Sequence, residues 1–348
     1  MTARIRVLLA EDSPSQRETL AFAITSGSEL ELAGVASNGA EAVEKVEQLK
    51  PDIVLMDCHM PVLDGIAATR AIMWRCPVPV VMASASFGPS DVHPGLEALR
   101  EGALAIVPKP PDPAHPDFDR VAAELRLSLR LMSEVRVVRR TPPRQNRATV
   151  ARRAAGRVRV VAIGASTGGP PVILEILRGL DPRIEAPILV VQHIAPGFTA
   201  GFASWLARSC GLPVEVAAAN APAQAGHVYV APEGSHLGID RRGRIVLDDG
   251  PAENGFKPSV SHLFRSAADS FGSAALAVLL TGMGEDGAEG LAHISRCGGI
   301  SVAQDKDTSV VFGMPAAALR LGAVQRMLAP PDIAPFILGQ LARKSLPS

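Results

Sequence analysis

The sequence predicts an α/β protein of two doubly wound domains, a five-stranded N-terminal one and a mainly parallel C-terminal one. Three observations carry this. Short runs rich in Val, Ile and Leu recur along the chain, apolar on both faces as buried parallel strands require. Amphipathic stretches of helical period separate them, which is the alternation of an open parallel sheet. A chain of 348 residues also has room for about two domains of roughly 150 residues.

Composition narrows the class further. Hydrophobic residues make up 47% of the chain, ample for two cores. Acids and bases balance at 35 each, which argues against a polyanion-binding protein as a whole, so no nucleic acid is expected as partner. Cys58, Cys76, Cys210 and Cys297 are dispersed without CxxC spacing, so neither a disulfide scaffold nor a zinc site is signalled, and a reducing cytosol fits. The N-terminal run VLLA is cut short by Glu11 and Asp12, too short for a signal peptide or a membrane span. A cytoplasmic protein without membrane insertion is expected.

In the N-terminal domain, residues 1–130, the strands are expected at 5–10, 30–36, 52–57, 78–84 and 105–109. Ser13 as N-cap and Pro14 at the first helical position open the first helix. In such a sheet the ligand site lies at the carboxyl ends of the strands, and Glu11, Asp12, Asp57, Ser84 and Lys109 all fall there. Any one of them could be an ordinary polar strand end. Together they form a set with chemistry: three carboxylates repel one another unless a hard cation such as Mg²⁺ binds their oxygens. The lysine and hydroxyl suit a transferred phosphoryl group, with Asp57 as the acceptor carboxylate.

This pattern resembles the receiver domain of bacterial response regulators, a flavodoxin-like fold. Its acidic pair, phosphoacceptor, switch hydroxyl and lysine correspond to Glu11 and Asp12, Asp57, Ser84 and Lys109. One departure stands out: receivers commonly carry an aromatic switch residue three places before the lysine, and here that place holds Ile106. Coupling is then expected to run through Ser84 and the neighbouring loop FGPSDVHPG.

From Glu134 the character changes. Nine arginines occur between Arg136 and Arg159, no acid occurs between Glu134 and Glu175, and Pro142–Pro143 breaks any continuing helix. Residues 131–157 are expected to be a solvated tether. A nucleic-acid contact is the less favoured reading, since no aromatic side chains interleave with the charges.

The second domain, residues 158–348, has its clearest strands in VRVVAIGA, PILVVQHI and SAALAVLLTGMG. The turns that follow deliver Ser166, His193 and Asp286 to one sheet edge. A hydroxyl, an imidazole and a carboxylate are the parts of a nucleophilic triad. Residues 164–168, GASTG, also satisfy the G-x-S-x-G pattern of a nucleophile elbow. The chain order Ser, His, Asp differs from that of α/β-hydrolases, so the triad would be an independent solution. Alternatives stay open at each position. GASTGG could present helix amides to a phosphate or dinucleotide, Asp286 competes with Glu285, and His227, His236 and His262 read as structural or substrate-lining, with His236 the best placed of them.

The segments GASTGGP, VVQHIAPGFT, VYVAPEGSHL, LLTGMGEDGAEGL and AQDKDTSVVFGMPAAAL resemble, in order, the signatures of the chemotaxis protein-glutamate methylesterase family. The resemblance implies a catalytic triad at Ser166, His193 and Asp286. It also implies an oxyanion-hole amide at Met283, with Thr167 in support. It further implies a hydrolase that removes methyl esters from glutamates of methyl-accepting chemoreceptors and deamidates specific receptor glutamines. A chemotaxis histidine kinase would serve as phosphodonor. Mg²⁺ would be needed for phosphorylation, and no cofactor for ester hydrolysis. Two other classes are less well supported. A transcriptional regulator lacks a helix-turn-helix-sized tail here. A dinucleotide enzyme lacks the acid expected about 20 residues beyond the glycine turn.

Overall fold

The computed structural model describes residues 4–84, 89–135, 137, 158–195 and 197–341. The chain divides into two compact units, Met1–Pro142 and Pro143–Ser348.

In the first unit the strands β1 (Ile5–Ala10), β2 (Leu30–Ala36), β3 (Ile53–Asp57), β4 (Val80–Ser84) and β5 (Ala105–Pro108) form one sheet in the order β2-β1-β3-β4-β5. Every pairing is parallel. Helices α1 (Pro14–Thr25), α2 (Gly39–Leu49), α3 (Gly65–Arg75), α4 (Pro89–Glu101) and α5 (Phe118–Ser133) connect the strands. Helix α1 packs against α5, and α3 against both α2 and α4. Strand β4 starts at Val80 and not at Val78, because Pro77 and Pro79 have no N–H to extend the ladder. Ser13 precedes α1 with Pro14 in its first turn, but its side chain makes no cap bond. Its hydroxyl lies 3.3 Å from Ser15 Oγ, and its N–H donates to Glu11 Oε1 at 3.2 Å. Glu11 thus holds the backbone of the cap residue, a different contact from the first-turn amide that a Ser13 cap would accept from.

Ile106 on β5 is half-buried and packs against Gly95 of α4, where an added Cβ would come within 2.8 Å of Ile106 Cδ1. Ile106→Ala should therefore cost about 1–2 kcal/mol, below the roughly 2–5 kcal/mol of a fully buried isoleucine. Chemical denaturation read together with phosphorylation checks this, since an intact phosphorylation level is expected in the variant. The segment FGPSDVHPG, expected to be a loop, is mostly helix: Phe87 and Gly88 lie outside the described residues, and residues 89–95 form the start of α4. The Arg/Pro-rich stretch 131–157 falls outside the described residues, apart from the end of α5 and the few residues after it.

The second unit holds the seven-stranded sheet β14-β13-β12-β6-β7-β9-β8 and a hairpin, β10–β11. Its strands are β6 (Val160–Ala165), β7 (Ile188–Gln192), β8 (Val214–Val216), β9 (Val228–Val230), β10 (His236–Ile239), β11 (Ile245–Asp248), β12 (Ala275–Leu279), β13 (Ile300–Gln304) and β14 (Arg326–Leu328). All pairings in the large sheet are parallel, and the hairpin is antiparallel. The helices are α6 (Gly169–Arg178), α7 (Thr199–Cys210), α8 (Val260–Phe271), α9 (Ala288–Arg296), α10 (Met314–Arg320) and α11 (Pro330–Leu341). Helix α8 lies on β10 and against α9. Its apolar face, Val260, Leu263, Phe264 and Ala267, joins Leu189, Val191, Leu237 and Leu279 in the core. Among the described residues no helix is long and apolar enough to cross a membrane.

The order of the large sheet fixes where chemistry can occur. From β6 the chain runs outward through β7 and β9 on one side, and later through β12, β13 and β14 on the other. The β6/β12 boundary is the topological switch point, and the crevice beyond its carboxyl ends is where ligands bind in open α/β sheets. Strand β12 ends at Leu279, short of the apolar run read from the sequence, since the chain from Thr281 onward turns away to bond other loops.

Candidate active site

Ser166 is the first residue after β6. Its N–H donates to Thr281 O at 3.0 Å, and its carbonyl accepts from Gly169 N at 2.9 Å and Gln192 Nε2 at 2.8 Å. The glycines after it serve the turn itself. Gly168 has φ +76°, costly for any residue with a Cβ, and a Cβ there would lie 2.6 Å from Val310. A Cβ on Gly169 would strike Gln192 Oε1. Protein atoms occupy the space these glycines leave, which removes the main support for a dinucleotide loop.

Strands β7 and β12 flank β6 and supply the other two groups. His193 follows β7, its N–H bonded to Ala165 O at 2.9 Å. Asp286 sits in the loop after β12. The two side chains meet, with His193 Nε2 2.9 Å from Asp286 Oδ2. A carboxylate can only accept here, so Nε2 carries the hydrogen and Nδ1 keeps its lone pair. Nδ1 is buried and has no hydrogen-bond partner, so the ring keeps one uncommitted basic nitrogen. Competition from Glu285 is settled by position: its side chain is 74% exposed and pairs with Arg320 at 2.7 Å.

Asp286 is held from behind by the start of α8. Oδ1 accepts from Ser259 Oγ at 2.8 Å, Ser261 N at 3.0 Å and Gly287 N at 2.9 Å, and Oδ2 accepts from Val260 N at 2.7 Å. The Val260 and Ser261 amides are unpaired donors of the α8 N-terminus, which favours an anion, and the Gly287 amide adds a donor from the aspartate's own loop. Burial pushes the Asp286 carboxyl up, but the bond to His193 and the α8 amides outweigh it and hold the group well below the usual carboxylate range. A depressed value stabilises the fold above the unfolded carboxyl's value, about 3.9, and that contribution is lost as pH falls through the folded value. Unfolding free energy should therefore decline more steeply below about pH 4 in the native protein than in Asp286→Asn. Denaturation curves between about pH 5 and pH 2 test this, and parallel declines would remove Asp286 as a source of acid sensitivity.

The loop carrying Met283 runs against Ser166, close enough that a Cβ on Gly282 would lie 2.7 Å from Ser166 Cβ. The segment 304–314 braces it. Gln304 Oε1 accepts from Thr281 N at 2.9 Å, Gly282 N donates to Val311 O at 3.0 Å, and Met314 N donates to Gly282 O at 2.9 Å. Thr281 Oγ1 donates to Thr167 O at 3.0 Å, so Thr167 enters this network through its backbone. Met283 itself is 39% exposed.

Sequence reasoning assigned no role to Gln192, Ser259 or Glu233. Gln192 Nε2 bonds both Ser166 O and His193 O at 2.8 Å, tying the two strand ends together. Glu233 Oε1 accepts from Gly197 N at 2.7 Å and Thr199 N at 3.3 Å, fixing the chain beyond His193. His236 is buried and structural: Nδ1 accepts from Ser259 N at 3.1 Å, and Nε2 donates to Pro251 O at 2.9 Å. His262 pairs with Glu253 at 3.1 Å, and His227 lies 3.7 Å from Glu215.

In the first unit Glu11, Asp12 and Asp57 offer oxygens that all lie within 4.8 Å of one another. Lys109 Nζ bridges Glu11 Oε2 at 2.8 Å and Asp57 Oδ1 at 2.7 Å, and donates to Gln16 Oε1 at 2.5 Å. Burial raises the Glu11 carboxyl, Lys109 opposes that, and neighbouring Asp57 adds to it, for a net upward shift. Burial acts to lower the Lys109 ammonium, but bonds to Asp57 and Glu11 prevail and raise it. Ser84 closes β4 and is buried, its carbonyl accepting from Lys109 N at 2.9 Å. An all-oxygen set of this kind fits a hard divalent cation.

The two sites define a protein that joins a phosphoacceptor-type domain to an α/β hydrolytic domain with a serine, histidine and aspartate at its switch point. The profile of the CheB methylesterase family matches residues 161–337, and that of the response regulator receiver domain matches residues 7–115. A protein-glutamate methylesterase/protein-glutamine glutaminase of Hahella chejuensis is 42% identical over 339 residues, covering 95% of this chain and 97% of its own. One from Anaeromyxobacter dehalogenans is 45% identical, covering 97% of each. The CheB methylesterase catalytic domain of Thermotoga maritima superposes with a TM-score of 0.51 at 36% identity, over 53% of this chain and 99% of its own. The chain belongs to the CheB methylesterase family, with a receiver domain ahead of the methylesterase domain.

Proposed function

We propose that this enzyme hydrolyses γ-glutamyl methyl esters on the signalling helices of methyl-accepting chemoreceptors, and deamidates specific glutamines there by the same route. The observation that carries the reading is the hydrogen bond from His193 to Asp286 beside Ser166, with the second imidazole nitrogen buried and unpartnered. Ser166 Oγ attacks the ester carbonyl while His193 Nδ1 takes its proton, and Asp286 stabilises the imidazolium. The carbonyl oxygen becomes an oxyanion, met by the backbone N–H of Met283. One such donor contributes about 3 kcal/mol. The intermediate collapses, methanol leaves with the proton from His193, and an acyl-serine remains. Water, deprotonated by His193, then attacks this ester and releases the glutamate carboxylate and free Ser166. For glutamine the leaving group is ammonia. Thr167 supports the turn through its carbonyl, and no cofactor takes part in hydrolysis.

Control falls to the receiver domain. Asp57 accepts a phosphoryl group from a chemotaxis histidine kinase; Glu11, Asp12 and Asp57 would hold Mg²⁺, which would offset the charge of the incoming group. Lys109 and Ser84 then pair with the phosphoryl oxygens. The domain restrains hydrolysis until it is modified. The protein works in the cytoplasm, binds no nucleic acid and does not insert in a membrane. Methanol release from methylated receptors of the same cell tests the substrate assignment, and absence of release from every methylated receptor would overturn it.

A further inference from the structure

Phe256 lies flat on the imidazole of His193. The two rings are parallel, with an interplanar angle of 0° and centroids 3.9 Å apart. This contact comes from neither the serine turn nor the aspartate loop, but from the segment between β11 and α8. Resting on the triad reading above, we propose that Phe256 is a positioning residue for the reaction. Its ring face holds His193 in the plane that joins Asp286 to Ser166, and stabilises the imidazolium formed when Ser166 loses its proton.

The need for such a group follows from the bonding of the histidine. A single hydrogen bond, Nε2 to Asp286, leaves the ring free to tilt about that contact. Terminal torsions of this kind are broad, and nothing hydrogen-bonds Nδ1. A flat aromatic surface at van der Waals distance removes the tilt. It also acts differentially. The face of a benzene ring is the negative part of its quadrupole, so it attracts a cationic ring more than a neutral one. The stack therefore strengthens as the proton moves from Ser166 to His193, and only such strengthening speeds the chemical step.

The loop is built to present this side chain. Asn254 and Gly255 have φ of +52° and +82°, the pattern of a tight type I′ turn. Glu253 and Phe256 close it with reciprocal backbone bonds of 3.0 and 2.9 Å. The Glu253 carboxylate is anchored on α8, to His262 Nδ1 at 3.1 Å and to Arg265. Burial would raise that carboxyl, but its bonds to Arg265 and His262 lower it, so the anchor stays ionised. On the near side of the turn His236 donates to Pro251 O, and on the far side Lys257 Nζ donates to Asp249 O at 2.8 Å. His236 also accepts from Ser259 N, and Ser259 Oγ holds Asp286. One framework thus sets both the carboxylate at the edge of the imidazole and the ring over its face.

The test uses the full-length protein and a fluorophosphonate, which reacts at the serine oxygen, displaces fluoride and does not depend on the natural substrate. Saturation kinetics separate reagent binding from the bond-forming rate at Ser166. Phe256→Leu and Phe256→Met keep an apolar cover without a π face, and Phe256→Tyr and Phe256→Trp keep the face. We expect the aliphatic variants to lose about tenfold in the bond-forming rate, with reagent affinity within about twofold. The aromatic variants should stay near the native rate, and thermal unfolding should show all four folded. Native rates in both aliphatic variants, a loss confined to affinity, or an equal loss in Phe256→Tyr would each overturn the proposal. If the native protein is not labelled at Ser166, the triad reading fails with it, whereas normal labelling of native protein and aliphatic variants alike sinks the role of Phe256 alone.

Discussion

Ser166→Ala and His193→Ala should each abolish methanol release, and Asp286→Asn should lower it by about 10⁴-fold. The three groups act as one unit, so removing any of them leaves only what binding and the oxyanion contacts supply. Loss of Ser166 removes the atom that forms the bond. Loss of His193 leaves a hydroxyl with no base, since no other titratable side chain is seen bonded to the serine turn among the described residues. The effect of Asp286→Asn is the most informative of the three. Asp286 receives only donors: the histidine, a serine hydroxyl and three backbone amides. An asparagine has one acceptor oxygen, and its NH₂ must face some of those donors. It either leaves α8 amides unsatisfied or turns its NH₂ to His193 and forces the wrong tautomer. The variant should lose thermal stability as well as activity, while Ser166→Ala keeps both fold and melting temperature. Turnover by Asp286→Asn at the native rate would dismiss the triad, because Glu285 is committed to Arg320 and points to solvent.

Much of this site was legible in the sequence because strand-end positions in a parallel sheet are dictated by topology. An apolar run followed at once by a polar residue places that residue at the carboxyl edge of the sheet, which is why Ser166 and His193 could be named. Asp286 needed more, since the loop from Thr281 folds back on Val311 and Gln304 before reaching it. The parts that stayed hidden are long-range contacts whose residue types carry no signature. Gln192 reads as the polar end of a strand, yet its amide ties Ser166 to His193 through their carbonyls. Ser259 is a detectable N-cap, three residues before His262, whose N–H it accepts at 3.3 Å, but nothing local says that its hydroxyl donates to Asp286. Phe256 reads as a lone aromatic in a polar loop. The turn at Asn254–Gly255 that carries it shows only in the structure, with positive φ at both residues. In the first unit Ser13 precedes α1 as expected but makes no side-chain cap bond, its hydroxyl lying near Ser15 Oγ and its own N–H bonded to Glu11.

Phosphorylation of Asp57 should raise hydrolysis by about 5- to 150-fold, the span of typical coupling free energies. Lys109 is the physical reason to expect a change. Its ammonium is shared among Glu11, Asp57 and Gln16, and its raised pKa keeps it charged when a phosphoryl group arrives. A phosphoryl group brings about two further negative charges and three strong acceptors. Lys109 must then redistribute its bonds toward it, releasing Glu11, and Ser84 stands at the neighbouring strand end. Ile106 cannot supply the aromatic rotation common in receivers, so Ser84→Ala should accept phosphate from a small acyl phosphate in Mg²⁺ and yet fail to activate. Asp57→Ala should take up no phosphate and keep basal hydrolysis, and chelation of Mg²⁺ should prevent labelling of the native protein. Removing residues 1–157 should raise basal hydrolysis, since the restraint goes with the domain. Equal activity in the full-length, phosphorylated and truncated forms would show that the receiver does not restrain the enzyme. Full activation of phosphorylated Ser84→Ala would move the coupling away from the hydroxyl and onto β5, where Ile106→Ala becomes the variant that decides.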